Sequence, residues 1–233
     1  MKVKKFEKMT KKELILFCVL SFGAGVMIGI AGLSSLWTIS LYGAWGRIIG
    51  ACLFTFAIYV IIMFGFHLFT GMIKEIPTMG VKNYWRLAVC LLLNSLGAIL
   101  VGWLSEYLLI GPSLMEIGAN TVAVKVYSDN WALQSFVSSV FCGILIAVSV
   151  KSVKRAPQKG VSPTLGVLFP IIIFAFCGLD HSVANMLYFF YLGEMSWRIV
   201  GYIALSILGN IVGGVLFTLP MLYKERVEKT DQQ

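Results

Sequence analysis

Only two histidines occur in the 233 residues, and both stand inside long stretches without lysine or arginine. His181 lies in the run Gly178-Leu179-Asp180-His181-Ser182-Val183-Ala184-Asn185, and His67 in Gly65-Phe66-His67-Leu68-Phe69-Thr70-Gly71. An imidazole flanked by a carboxylate, a hydroxyl and a carboxamide has partners that can fix its tautomer. The glycine before the cluster marks a break in a helix. A broken helix exposes backbone N–H groups, and such groups at a half-helix N-terminus favour an anion. Joined to a titratable imidazole, they suit a small weak acid. The anion is attracted, receives a proton or a strong hydrogen bond, and crosses an apolar constriction at far lower cost than a bare charge. Leu68, Phe69 and Phe174 are the bulky side chains beside these breaks and are the candidate constrictions. His67 reads either as a second functional group or as a hydrogen-bonded core histidine.

Other chemistries lack their residues. There is no GxSxG elbow, HExxH helix or GK[ST] phosphate loop, and no CxxC pair. Two histidines are too few for a rich metal site, so neither metal nor cofactor is expected. Cys18, Cys52, Cys90, Cys142 and Cys177 all fall in apolar stretches and read as small buried hydrophobes. A membrane enzyme built on Asp180 and His181 would need a nucleophile beside that pair, and none is recognisable.

The elements that must hold these residues follow from charge. With 58% hydrophobic and 13% charged residues, the chain carries about half the charge of an ordinary soluble domain. Six uncharged or nearly uncharged stretches stand out: Glu13 to Arg47, Arg47 to Lys74, Arg86 to Glu106, Trp131 to Val150, Pro163 to Phe190 and Arg198 to Lys224. Each is long enough to cross the roughly 30 Å hydrocarbon layer, and only the fifth holds a carboxylate, Asp180. The apolar run after the basic N-terminus exceeds a cleaved signal's 7 to 15 residues and is expected to stay as the first span. Taking loops alternately from each side, sixteen of the 19 lysines and arginines fall on one side and three, Arg47, Lys125 and Arg198, on the other. That asymmetry predicts six spans with both termini in the cytoplasm. It also accounts for the net charge of +8 without nucleic acid.

A weak internal repeat organises the spans. Span three contains Asn94 and Gly97, and span six Asn210, Gly213 and Gly214; His67 precedes Asn94 by 27 residues and His181 precedes Asn210 by 29. The expectation is two three-span halves, 13–110 and 131–223, inserted with opposite orientation and broken in the second and fifth spans. Residues 1–12 form a basic cytoplasmic arm and 224–233 a tail.

With its Leu68-Phe69-Thr70 loop, the Asp180-His181-x-x-x-Asn185 segment and Gly209-Asn210-x-x-Gly213-Gly214, the chain resembles the formate/nitrite transporter family over nearly its whole length. The resemblance implies an aquaporin-like fold and a homopentamer with one pore per protomer in a bacterial cytoplasmic membrane. It implies passage of formate, nitrite, hydrosulfide or similar monovalent anions, passively or linked to protons. By position, Thr70 would be the loop threonine near the central histidine His181, and Asn185 the companion at the helix break. Leu68, Phe69 and Phe174 would line the constrictions, with Asp180, His67, Asn94 and Asn210 in support. Two departures follow: His67 stands where the family usually has an acid, and the vestibule lysine expected near Pro163 or Thr164 has Lys159 as its nearest substitute. A pore for water, glycerol or ammonia is the alternative reading.

Overall fold

A computed structural model describes residues 9–155 and 162–230, all helical or connecting, with no β-strand among them. The basic arm at 1–8, Lys159 and the last three residues lie outside the described residues. Helix α1 (Lys11–Tyr42) is followed by α2 (Ala44–Met63), the one-turn α3 (Phe69–Met72) and two short 3₁₀ turns. Then come α4 (Trp85–Ser105), α5 (Gly111–Val126), α6 (Trp131–Arg155), α7 (Pro163–Phe176), α8 (Ser182–Leu192) and α9 (Trp197–Thr230). A capping box starts α1: Glu13 N–H donates to Thr10 Oγ1 and Thr10 N–H to Glu13 Oε2.

Among the described residues, five helical segments are long and apolar enough to cross a membrane: α1, α2, Val81–Ser105, Trp131–Val153 and Trp197–Glu228. The fifth expected span is divided into α7 and α8, of 14 and 11 residues. The first break differs, because it comes after a full 20-residue α2 rather than within it. Residues 111–130, expected to be a loop, instead hold the 16-residue helix α5, which packs on α8 and α1.

Both halves pack alike. Helix α1 lies on α2 and α4, and α6 on α7 and α9, while α2 against α7 and α4 against α8 join the halves. Glycines let the backbones meet. A Cβ at Gly25 would lie 2.0 Å from the Asn94 carbonyl oxygen, and one at Gly213 would lie 2.0 Å from that of Val140.

The likeness extends to the breaks. Gly65 and Gly178 turn the chain at φ 70° and 66°, in the left-handed region open to glycine. Behind each, a buried asparagine from another helix fastens the restart. Asn94 Oδ1 accepts from Phe69 N–H at 2.8 Å, and its Nδ2 donates to the carbonyls of His67 (3.0 Å) and Ser21 (2.6 Å). Asn210 Oδ1 accepts from Ser182 N–H at 2.9 Å, and its Nδ2 donates to Asp180 (2.9 Å) and Ser139 (2.8 Å). This register corrects the histidine pairing read from spacing. His67 corresponds to Asp180, and His181 corresponds to Leu68.

The cysteines divide. Cys90 and Cys142 are buried as expected, Cys18 is partly so, and Cys52 and Cys177 are exposed on the protomer.

Because the Gly213 contact is with backbone, Gly213→Ala is expected to cost roughly 1–3 kcal/mol. Gly71→Ala, where the nearest atom would be 3.7 Å away, should leave thermal unfolding in detergent nearly unchanged.

Candidate permeation site

His181 is the N-cap of α8. Its backbone is extended (φ −98°, ψ 113°), and Nδ1 accepts from Ala184 N–H at 3.2 Å, satisfying one of the donors that a helix start leaves open. Across from it, Thr70 in the one-turn helix α3 brings Oγ1 to 2.8 Å from Nε2. A neutral imidazole carries one ring proton. With Nδ1 accepting, that proton belongs to Nε2, which donates to Thr70. A second proton at Nδ1 would set two donors against each other at the cap, so the ring is arranged as an Nε2–H donor.

Asp180 does not serve the imidazole, although adjacency had suggested it. Its carboxylate turns away, accepting from Lys125 Nζ (2.9 Å), Asn185 Nδ2 (3.2 Å) and Tyr202 Oη (2.9 Å). Lys125 also donates to the Gly178 carbonyl at 3.0 Å, so one cation ties both sides of the break. Asn185 reaches on to Ser206 Oγ at 3.3 Å.

Two cavities flank this centre. One, of about 470 Å³, is lined by His181, Phe174, Phe54, Asn185, Lys125 and Arg47 among others. The other, of about 280 Å³, is lined by Leu68, His67, Met72, Lys74 and Glu75 together with isoleucines and valines. Phe174 stacks on the imidazole with ring centroids 5.9 Å apart, and Phe54 meets Phe174 edge-on at 5.3 Å. His181, 1% exposed, is thus reached from the first cavity alone. Leu68 lines the second.

Of the residues singled out in sequence, His181, Thr70, Asn185, Leu68 and Phe174 gather here. Phe69 lines neither of these cavities; its side chain belongs to the same core cluster as Leu68 and Phe174, and its backbone N–H is what Asn94 holds. His67 faces the second cavity with its ring tilted on Phe17 at 5.0 Å, and Arg86 lies over that phenyl at 5.3 Å. Lys125, Phe54 and Tyr202 were not anticipated. Lys125 had a signal in being one of just three cations on the charge-poor side. Among the described residues, the lysine beside the centre comes from α5.

Residues 2–224 match the family profile described as Formate/nitrite transporter. This chain belongs to the formate/nitrite transporter family. Among its relatives is the uncharacterized transporter YrhG of Bacillus subtilis (strain 168), 26% identical over 97% of this chain and 90% of that protein. A probable formate transporter of Methanothermobacter thermautotrophicus is also 26% identical, over 85% and 84%. The fold is shared with a pentameric formate channel solved with formate bound (TM-score 0.73, 20% identity, covering 94% of this chain and 99% of that one). An FNT family ion channel superposes equally well (TM-score 0.73, 22% identity, 91% of each chain). Family membership makes this a multi-pass membrane protein of a transporter class.

Removing Lys125 strands a buried carboxylate. Lys125→Met is expected to lower stability by about 3 kcal/mol. Adding Asp180→Asn should restore part of that loss, as read from paired thermal denaturation curves in detergent.

Proposed function

We propose that this chain is a channel for small monovalent weak-acid anions, formate, nitrite or hydrosulfide, and that the Nε2–H of His181 is the hydrogen-bond donor the anion meets between its two cavities. The contact between Thr70 and His181 at 2.8 Å, with a cavity on either side, carries this reading. Phe174 and Leu68 make the approaches apolar. A bare anion cannot cross such walls cheaply, whereas one that replaces Thr70 as the imidazole's acceptor exchanges one hydrogen bond for a charge-assisted one. Thr70 is then free to turn its hydroxyl and donate to the same anion.

Chemical balance separates hydrogen bonding from protonation. An anion that took the Nε2 hydrogen outright would leave an imidazolate, so a proton travelling with it must come from the water of the cavities. His181 lowers the barrier by donating, and the permeant leaves as anion or as acid according to what those waters supply.

The surrounding assembly completes the proposal. The two halves cross the membrane in opposite directions, three crossings each, with α7 and α8 together making the fifth. This single transmembrane domain places both termini and the cavity of Lys74 and Glu75 on the cytoplasmic side of a bacterial inner membrane. The cavity of Arg47 and Lys125 opens outward. Like the pentameric formate channel of the same fold, the chain assembles as a homopentamer with one pore per protomer.

His181→Asn keeps an N-cap acceptor for Ala184 but, with its shorter side chain, presents no N–H at the position of Nε2 opposite Thr70. In proteoliposomes it should reduce formate, nitrite and hydrosulfide flux roughly ten- to hundredfold while the protein stays monodisperse. Undiminished flux, or osmotic swelling in glycerol without any anion movement, would overturn the anion reading.

A further inference from the structure

The charges lining the two cavities do not match. In the inner cavity Lys74 and Glu75 bring opposite signs, and the rest of the lining is His67 and uncharged groups. In the outer cavity the cations are Lys125, from the end of α5, and Arg47, from the first turn of α2. Lys125 lies 2.9 Å from the Asp180 carboxylate, so its field toward the cavity is largely cancelled by an equal and opposite charge. Arg47 has no ion pair, hydrogen bond or ring contact among the described residues, and no acidic residue lines the cavity with it. The side walls are apolar where they approach the imidazole, through Phe54, Phe174 and Leu36, and low-dielectric walls concentrate the field of a charge held at the mouth.

We propose that Arg47, rather than Lys125, is the residue that recruits the anion into the outer cavity, and that it makes anion capture stronger from the outer face than from the inner one. This rests on the anion-channel reading above and adds to it a division of labour. Lys125 is a positioning residue that holds the break at Gly178 and Asp180. Arg47 supplies the net charge. Arg47 is exposed, so its charge raises the local anion concentration without trapping the ion, and His181 receives it deeper in.

A single charge acting over roughly 8 Å in a partly aqueous medium changes local anion concentration about fivefold at low salt, and much less once the Debye length falls below that distance. The test uses the full chain in right-side-out and inside-out membrane vesicles. Initial rates of formate entry are recorded against formate concentration, at low and at high ionic strength. The parent protein is expected to half-saturate at a lower concentration from the outer face, with an advantage that shrinks as salt rises. Arg47→Gln should raise the outer-face half-saturation about fivefold, flatten its salt dependence and leave the inner-face value in place. Arg47→Lys should retain most of the parent behaviour. An Arg47→Gln protein with unchanged outer-face half-saturation and salt dependence, or with equal changes from both faces, overturns the proposal while leaving the channel intact. A parent protein that carries no formate, nitrite or hydrosulfide from either face overturns the channel reading and this inference with it.

Discussion

A buried backbone N–H or carbonyl without a partner costs several kcal/mol, and this chain stops two helices inside its fold. The centre of the protein exists because two carboxamides resolve that cost. Asn94 and Asn210 reach across from α4 and α9, each accepting from the first N–H of a restarting helix and donating to the carbonyl two residues earlier. Each is also anchored to the opposite helix of its own half, at Ser21 and Ser139. Glycine contacts between those helices let the asparagines reach that far. From that arrangement the rest follows: the restarts face each other near the middle of the fold, Leu68 ends one and His181 ends the other, and Thr70 meets the imidazole.

The two restarts are held alike and used differently. On the first, the cap position is Leu68, an apolar residue with no side-chain hydrogen bond to its helix. On the second it is His181, whose Nδ1 caps α8 and whose Nε2–H is left to face Thr70. Asp180 and His67 occupy matching places one residue earlier, and they also diverge. Asp180 is neutralised in a buried network with Lys125, Asn185 and Tyr202, whereas His67 packs its ring on Phe17 and borders the inner cavity. The same backbone device thus starts one helix from an imidazole and the other from an apolar side chain.

Much of this could be read from the residues alone, and the failures have physical causes. Gaps between charges located the long helices, since centrally placed lysine or arginine is too costly there. The asparagine and glycine pairs signalled a repeat, because close helix contacts and buried carboxamides leave residue types behind. Register was lost because Phe69 precedes Asn94 by 25 residues while Ser182 precedes Asn210 by 28; matching histidines by spacing hid that difference. Helix α5 escaped notice because Glu116, Asn120 and Lys125 interrupt it and it is too short to leave a charge gap. The partner of Lys125 lies 55 residues away, beyond any local pattern. The hydrogen bond from the Phe69 N–H to Asn94 leaves no sign in residue type, because it is made by backbone.

The proposed donor role of His181 turns on which of its ring nitrogens holds hydrogen. Nitrogen-15 NMR of the full protein with labelled histidine, comparing the wild type with a His67→Gln variant to assign the two rings, reads this directly. The expected spectrum for His181 has a pyridine-like Nδ1 and a protonated, pyrrole-like Nε2. A ring protonated at Nδ1, alone or together with Nε2, would contradict the cap and, with it, the donor that the permeation mechanism requires.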